Sequence, residues 1–273
     1  MGIGNNDIKE IESELTLVFH IGLTSFSYGI LNEEKYFENL KIFNIDPNNI
    51  ELDVINILNS TQELKQIFQK SIGSIDKCTH TFIPKVLFNH KNIKEYINFN
   101  SANTKNETCL YNEQVFTECY SIFSIKTNML NNLKKNLPNL YLKHTGSVFV
   151  DYAIKISKKD EENIFIQVNK QDFHIVYIVN LNFKFYNQFN YNNNDDFLYH
   201  YLNCLNVLEL DHHKININIM SVLEKNHIIF QIIKKYTPKH RFLKLLNNFH
   251  YSNQILQFEE HQNHNIFSQL ICE

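Results

Sequence analysis

The sequence predicts an α/β protein of two similar halves, each a mixed sheet with a three-strand antiparallel meander plus helices. Two observations carry this: apolar strand-like runs come in threes separated by short polar turns, and each triplet is followed by an apolar run at helical spacing. The order β-β-β-α-β-α then recurs after about 145 residues, which reads as an internal duplication in element order and not in matching letters. The halves are placed at 1–145 and 146–273, with a helix over Ser147 to Ile156 linking them.

In the first half, Leu15 to Ile21 is a continuous apolar strand. Phe26 to Leu31 returns after the turn Gly22-Leu23-Thr24-Ser25, and Tyr36 to Phe43 follows the charged turn Asn32 to Lys35. Val54, Ile57, Leu58, Leu64, Ile67 and Phe68 recur at helical spacing, predicting a helix over Ile50 to Ser71 that Asn59-Ser60-Thr61 can divide. Cys78 to Ile83 reads as a strand ended by Pro84, Val86 to Phe99 as a short helix, and Thr108 to Phe123 as β-rich. A helix over Thr127 to Leu137 stops at Pro138.

In the second half, Asn163 to Val168, Phe173 to Val179 and Phe183 to Phe189 form the second meander. Asn192 to Asp196 supplies capping side chains for a helix over Asp195 to Leu208. Lys214 to Met220 alternates as a strand, and His227 to Tyr236 is a helix ended by Thr237-Pro238.

Composition excludes several classes. An apolar share of 43% in 273 residues builds real cores and argues against disorder. No apolar run of 18 or more occurs, and Met1 to Glu14 is polar and acidic, so neither a signal peptide nor a membrane span is expected. The cysteines Cys78, Cys109, Cys119, Cys204 and Cys272 are scattered, without a C-x-x-C pair, which fits a reducing cytosol and a cytoplasmic protein. A net charge of −3 lacks the footprint of a nucleic-acid binder. Arg241 is the only arginine and tryptophan is absent, a bias of AT-rich coding that strips lysine and asparagine abundance of functional meaning. Only 6 glycines occur, where average usage would give roughly nineteen. No Gly-x-x-x-x-Gly-Lys-Ser/Thr or Gly-x-Gly-x-x-Gly is present, so the common phosphate cradles are missing.

The element order, with His20-Ile-Gly-Leu-Thr-Ser25 turning between strands one and two, resembles the actin, Hsp70 and sugar-kinase fold, whose phosphate hairpin reads D-I-G-T-T-S. More closely, HIGLTSFSYGILN (20–32), THTFIPKVLF (79–88) and NQFNYNNNDDFLYHYLNCLNVLELD (187–211) are similar to a bacterial domain-of-unknown-function family, number 3822. That resemblance implies duplicated actin-like (ribonuclease H-like) halves with a cleft between them. It also marks two departures. Where the superfamily has a metal-organising aspartate, this chain has His20, which cannot replace a hard oxygen ligand of Mg²⁺. Where the second hairpin should read Asp-x-Gly-Gly or similar, Val168-Asn169-Lys170-Gln171-Asp172 has no glycine.

The resemblance therefore implies an actin-like ATPase fold whose nucleotide site has degenerated, with no catalytic residue, metal ligand or cofactor assigned. If a nucleotide binds, Gly22, Thr24, Ser25, Asn169 and Asp172 are its contacts, although a plain hairpin turn is the better account of the first three, since one glycine makes a poor phosphate cradle. The leading expectation is a non-catalytic binding or scaffold protein with a protein partner or self-association; the rival is a nucleotide-binding protein or enzyme with atypical phosphate contacts. Four other groups have structural explanations. His261 and His264 beside Glu259 and Glu260 lack a third zinc partner, and His212-His213 fits a turn. Cys78 and His80 could pair as a nucleophile, yet a buried cysteine is commoner. Lys234, Lys235, Lys239, His240 and Arg241 form a basic patch best read as solvated surface.

Overall fold

The computed structural model describes residues 13–100 and 106–271; the polar segment 1–12 and Cys272 lie outside the described residues. The first meander is β1 (Ser13–Ile21), β2 (Ser25–Leu31) and β3 (Tyr36–Asn44), paired antiparallel with Phe19 opposite Tyr28 and Phe26 opposite Phe43. Helix α1 (Ile50–Ser60) follows, burying Val54 and Leu58.

The expected helix to Ser71 ends early. Beyond a short 3₁₀ turn over 62–65, Phe68–Ile75 is a strand, β4, parallel to β1 with Ile72 opposite Val18. Phe68, Ile72 and Ile75 are spaced four and three apart, which mimics a helical face. A strand covered on both sides, however, has no polar alternation to reveal it. Ser71 to Ile75 are all buried, and Gly73 lets the Phe19 ring lie directly on its backbone.

Strand β5 (His80–Pro84) starts later than expected and belongs to a separate three-stranded sheet with β6 (Glu107–Glu113) and β7 (Cys119–Lys126), in the order β5-β7-β6. The predicted helix from Val86 begins only at Ile93, as α2 (Ile93–Asn100) after two 3₁₀ turns. Helix α3 (Thr127–Asn136) then leads past Pro138 to β8 (Leu140–His144), a five-residue strand too short to be read from periodicity, which pairs parallel to β4. Helix α4 (Thr145–Ile156) begins at once, and His144 caps it through one of its first backbone N–H groups, its Nδ1 accepting from Gly146 N at 3.0 Å.

The second meander is β9 (Glu162–Val168), β10 (Asp172–Val179) and β11 (Asn182–Asn190). Helix α5 (Asn194–Val207), capped by the Asn193 side chain on Asp196 N, leads to β12 (Asn216–Ser221), α6 (Ile228–Tyr236) and β13 (His240–Phe242). Here the expected elements and the observed ones agree closely. The chain then returns to the first sheet through β14 (His250–Tyr251), parallel to β3, and the short α7 (His264–Phe267).

The sheets run β14-β3-β2-β1-β4-β8 and β11-β10-β9-β12-β13. In both, the meander is followed by a parallel strand beside its first member. One core lies between the first sheet and α1 and α3, another between the second sheet and α5 and α6. Helix α4 covers the other face of the second sheet, and the 249–271 segment covers that of the first. Those two covers touch where Tyr152 OH meets His264 Nδ1 at 3.1 Å. The β1–β2 and β9–β10 turns are thereby brought to one end of the molecule, facing each other.

Candidate functional site

Each turn is locked by its own backbone. Gly22 N donates to Ser25 O at 2.8 Å, and Ile45 N donates to Thr24 O at 3.0 Å. In the second turn, Asn169 N donates to Asp172 O at 2.9 Å, and the Asn169 Nδ2 group donates to Asp172 Oδ2 at 3.0 Å. The two turns meet across one cavity of about 190 Å³, lined by all five of Gly22, Thr24, Ser25, Asn169 and Asp172. Ile42, Val222, Phe258 and Gln262 also wall it. The closing side comes from the C-terminal segment: His261 Nε2 bonds Leu223 O at 2.9 Å, and Gln262 Nε2 donates to Val222 O at 3.3 Å. Asp172 is the carboxylate here, and its Oδ2 also accepts from Gln188 Nε2 at 3.2 Å. Lys170 also lines the cavity, and its Nζ donates to Asn44 Oδ1 at 3.2 Å.

Behind the turns lies a buried polar cluster that sequence reasoning missed. His20 Nε2 stands 3.3 Å from Asp76 Oδ2, and His20 Nδ1 is 3.0 Å from Ser74 Oγ. His174 Nε2 lies 3.6 Å from Asp76 Oδ1 and 3.2 Å from Asp172 Oδ2. Its Nδ1 meets Tyr186 OH at 3.0 Å. His20, Asp76, Asp172 and His174 are each at most 1% exposed. Burial alone would push Asp76 up and His174 down, but mutual attraction wins in both cases. His20 and His174 hold the Asp76 carboxyl below its usual range, and Asp76 with Asp172 hold the His174 imidazole above its own. Beside this cluster, His80 and His144 stack at 3.8 Å. Burial pushes His80 down to about 3 and holds His144 well below the usual range, so both rings are neutral at pH 7.

The sequence candidates outside the two turns separate clearly. Cys78 sits in a turn before β5, and burial, then Asp76, push its thiol well above the normal range, so it is not a thiolate nucleophile. His80 bonds Ser121 Oγ at 2.9 Å instead. His261 and His264 are buried on separate backbone carbonyls, Leu223 O and Glu260 O. His213 lies in a turn before β12, and Arg241 Nε is tied to Asn218 Oδ1 at 2.6 Å.

A second, open groove of about 830 Å³ adjoins the cluster between the two sheets. Leu52, Ile55 and Met129 give it an apolar wall, Asp76 and Glu107 supply carboxylates, and Gln188 of β11 closes the far side. Leu52 is 58% exposed there.

Among solved structures, a Bacteroides thetaiotaomicron VPI-5482 protein with an actin-like ATPase fold and unknown function is similar over 96% of this chain and 97% of its own, with a TM-score of 0.79 and 18% identity. A PilM-PilN type IV pilus biogenesis complex matches over 94% and 96%, with a TM-score of 0.61 and 6% identity. The ethanolamine utilization protein EutJ from Carboxydothermus hydrogenoformans matches over 86% and 88%, with a TM-score of 0.50 and 8% identity. At these identities the likeness is one of fold. No curated protein matches significantly. Among the described residues no helix is long and apolar enough to cross a membrane. The model of the family described as protein of unknown function (DUF3822) matches residues 4–240, and the chain therefore belongs to that family, on an actin-like ATPase fold.

Proposed function

We propose that this protein is a non-catalytic binding or scaffold protein that keeps an actin-like fold for its interlobe cleft and surfaces. The observation that carries this reading is the size and lining of the cavity where the two turns meet. At about 190 Å³ it falls below the roughly 300–1,000 Å³ typical of small-molecule sites. The chain's own Phe258 and Gln262 occupy its wall, and its carboxylate already accepts from Asn169 and Gln188. The groove of about 830 Å³ beside α1 is the surface we assign to a partner, because it is open and joins an apolar wall to charged groups. A structural relative solved as a complex of two proteins, PilM and PilN, supports a protein partner by analogy of fold. In the same reading the shared strand order reflects duplicated halves, 1–145 and 146–273, with β14 crossing back to the first.

A second reading is that the cavity still takes a nucleotide, favoured by one observation: Gly22, Thr24, Ser25, Asn169 and Asp172 do line a common space. Thermal unfolding with and without millimolar Mg²⁺ and ATP, ADP or GTP separates the two, since a ligand of the native state raises its apparent stability. The scaffold reading expects no shift at saturating nucleotide. A reproducible rise, lost when Gly22 is replaced by a bulky residue, would overturn it in favour of the second.

A further inference from the structure

Three ligand-type atoms from the two sheets converge behind the turns. The carboxylates of Asp76 and Asp172 and the Nε2 of His174 all lie within 4.8 Å of one another. Asp76 follows β4 of the first sheet, while Asp172 and His174 stand on alternate positions of β10 in the second. Although 0–1% exposed, His174 Nε2 and both oxygens of Asp76 make no well-aligned hydrogen bond; their neighbours are His20 Nε2 at 3.3 Å from Asp76 Oδ2 and Asp172 Oδ2 at 3.2 Å from His174 Nε2. We propose that Asp76, Asp172 and His174 are the ligands of a divalent first-row transition ion, with zinc the best fit, which joins the two sheets.

Spacing is the first argument. Donor atoms around tetrahedral zinc at about 2.0–2.1 Å stand roughly 3.3 Å from each other. The observed 3.2 Å and 3.6 Å edges bracket that value, and the longer one exceeds hydrogen-bond reach.

Charge is the second. Two buried carboxylates beside an imidazole are balanced by a dication, and His20, 3.3 Å from Asp76 Oδ2, is the other group that faces them.

The surrounding groups are the third. The 3.0 Å contact between His174 Nδ1 and Tyr186 OH fits the tautomer that carries its proton on Nδ1 and presents a bare Nε2 to the ion. Asn169 and Gln188 donate to Asp172 Oδ2, and His20 Nε2 stands 3.3 Å from Asp76 Oδ2. Mixed nitrogen and oxygen donors suit Zn²⁺, Mn²⁺ or Fe²⁺ better than Mg²⁺, which prefers oxygen alone. Asp76 lines the open groove and Asp172 the small cavity, so the triad is buried between the two spaces from which an ion would approach. This inference holds whether or not a nucleotide binds.

The test uses the full chain, stripped with a chelator and titrated with Zn²⁺, with Mn²⁺ and Mg²⁺ as comparators. Metal content is then measured by mass spectrometry after desalting. One equivalent of zinc per chain is expected. His174→Gln should lower affinity more than about 100-fold, and Tyr186→Phe by about 10- to 100-fold, each with native circular dichroism. Should His174→Gln fail to fold, Tyr186→Phe and the visible spectrum of the Co²⁺-loaded wild type decide the matter, intense four-coordinate bands supporting the site. Failure of the wild type to take up zinc, uptake that Tyr186→Phe leaves unchanged, or a Co²⁺ spectrum without such bands would each overturn the proposal, leaving His174 as an imidazolium between two carboxylates or the zinc on surface histidines.

Discussion

A Cβ added to Gly73 would stand 2.1 Å from Cζ of Phe19 and 2.5 Å from its Cε2, inside a strand with both faces covered. The Phe19 ring is itself fully buried and has no free direction in which to retreat. Gly73→Ala should therefore destabilise the protein by about 1–3 kcal/mol through overpacking, read as a lower urea midpoint at constant slope. The sign is diagnostic. Where a strand glycine has room, the same change gains about 0.4–1 kcal/mol by restricting the unfolded chain. Side-chain chemistry at the turns is legible in the sequence because Gly22, Thr24, Ser25, Asn169 and Asp172 are residue types that turns select for local backbone reasons. Asp76 and His174 carry no such local signal. Asp76 follows β4 and His174 lies near the start of β10, and only the pairing of β1 with β4 and the facing of the two sheets bring them together.

His264 illustrates how burial becomes a pH dependence. Its Nε2–H donates to Glu260 O at 3.0 Å and its Nδ1 accepts from Tyr152 OH at 3.1 Å, so the neutral ring is fully satisfied and a second proton would have no acceptor. Burial, with a smaller push from His261, brings its pKa down from 6.5 to about 4, against the opposing effect of Glu260 O. The unfolded chain binds a proton in that window and the native state does not, so stability rises with pH between about 4 and 6.5 and is lost on acidification. The full shift corresponds to about 3 kcal/mol at one pKa unit per 1.36 kcal/mol. His80, depressed to about 3, acts in the same direction. His264→Gln should flatten the wild-type slope of stability against pH across that window by about one proton, measured by urea unfolding at a series of pH values.

At the scale of elements, α4 anchors the inserted β5-β7-β6 region to the second sheet. Asp151 accepts from Val115 N and Phe116 N, both at 3.1 Å, and burial raises its pKa although those bonds and Lys143 favour the ionised form. Asp151→Ala removes both acceptors and should cost about 1–3 kcal/mol, with faster hydrogen exchange at the Val115 and Phe116 amides as its local signature. The start of α4 is equally constrained. A Cβ on Gly146 would meet Tyr186 Cζ at 2.3 Å, so helix and β11 touch directly. Elements are legible in the sequence to the degree that one face meets water or a turn. The meanders and the amphipathic α3, α5 and α6 are readable from spacing and caps, as is the stop at Pro138. Strand β4 is not, because its burial on both faces leaves Phe68, Ile72 and Ile75 as its only pattern, and that pattern has helical spacing.

At the scale of the whole molecule, the end of the chain completes a core begun near its start. Phe249, Ile255, Ile266 and Phe267 pack against Val18, Leu31, Phe37 and Leu40 of the meander's outer face. The Phe37 ring meets those of Phe249, Tyr251 and Phe267. Gln269 Nε2 donates to Phe19 O at 2.9 Å across nearly the full length of the sequence. Burying four large apolar side chains stabilises by on the order of 6–12 kcal/mol at about 1.5–3 kcal/mol each. That equals most of the roughly 5–15 kcal/mol that holds a typical domain folded. A chain ending at Asn248 should thus lose its cooperative thermal transition or come out insoluble, whereas shortening only beyond Ile271 should leave the transition in place. Calorimetry of the two truncations against the full chain checks this. If the first melts cooperatively near the wild-type temperature, the outer face of the first sheet is stable without its C-terminal cover, and the inferred dependence of the first lobe on the chain's end fails.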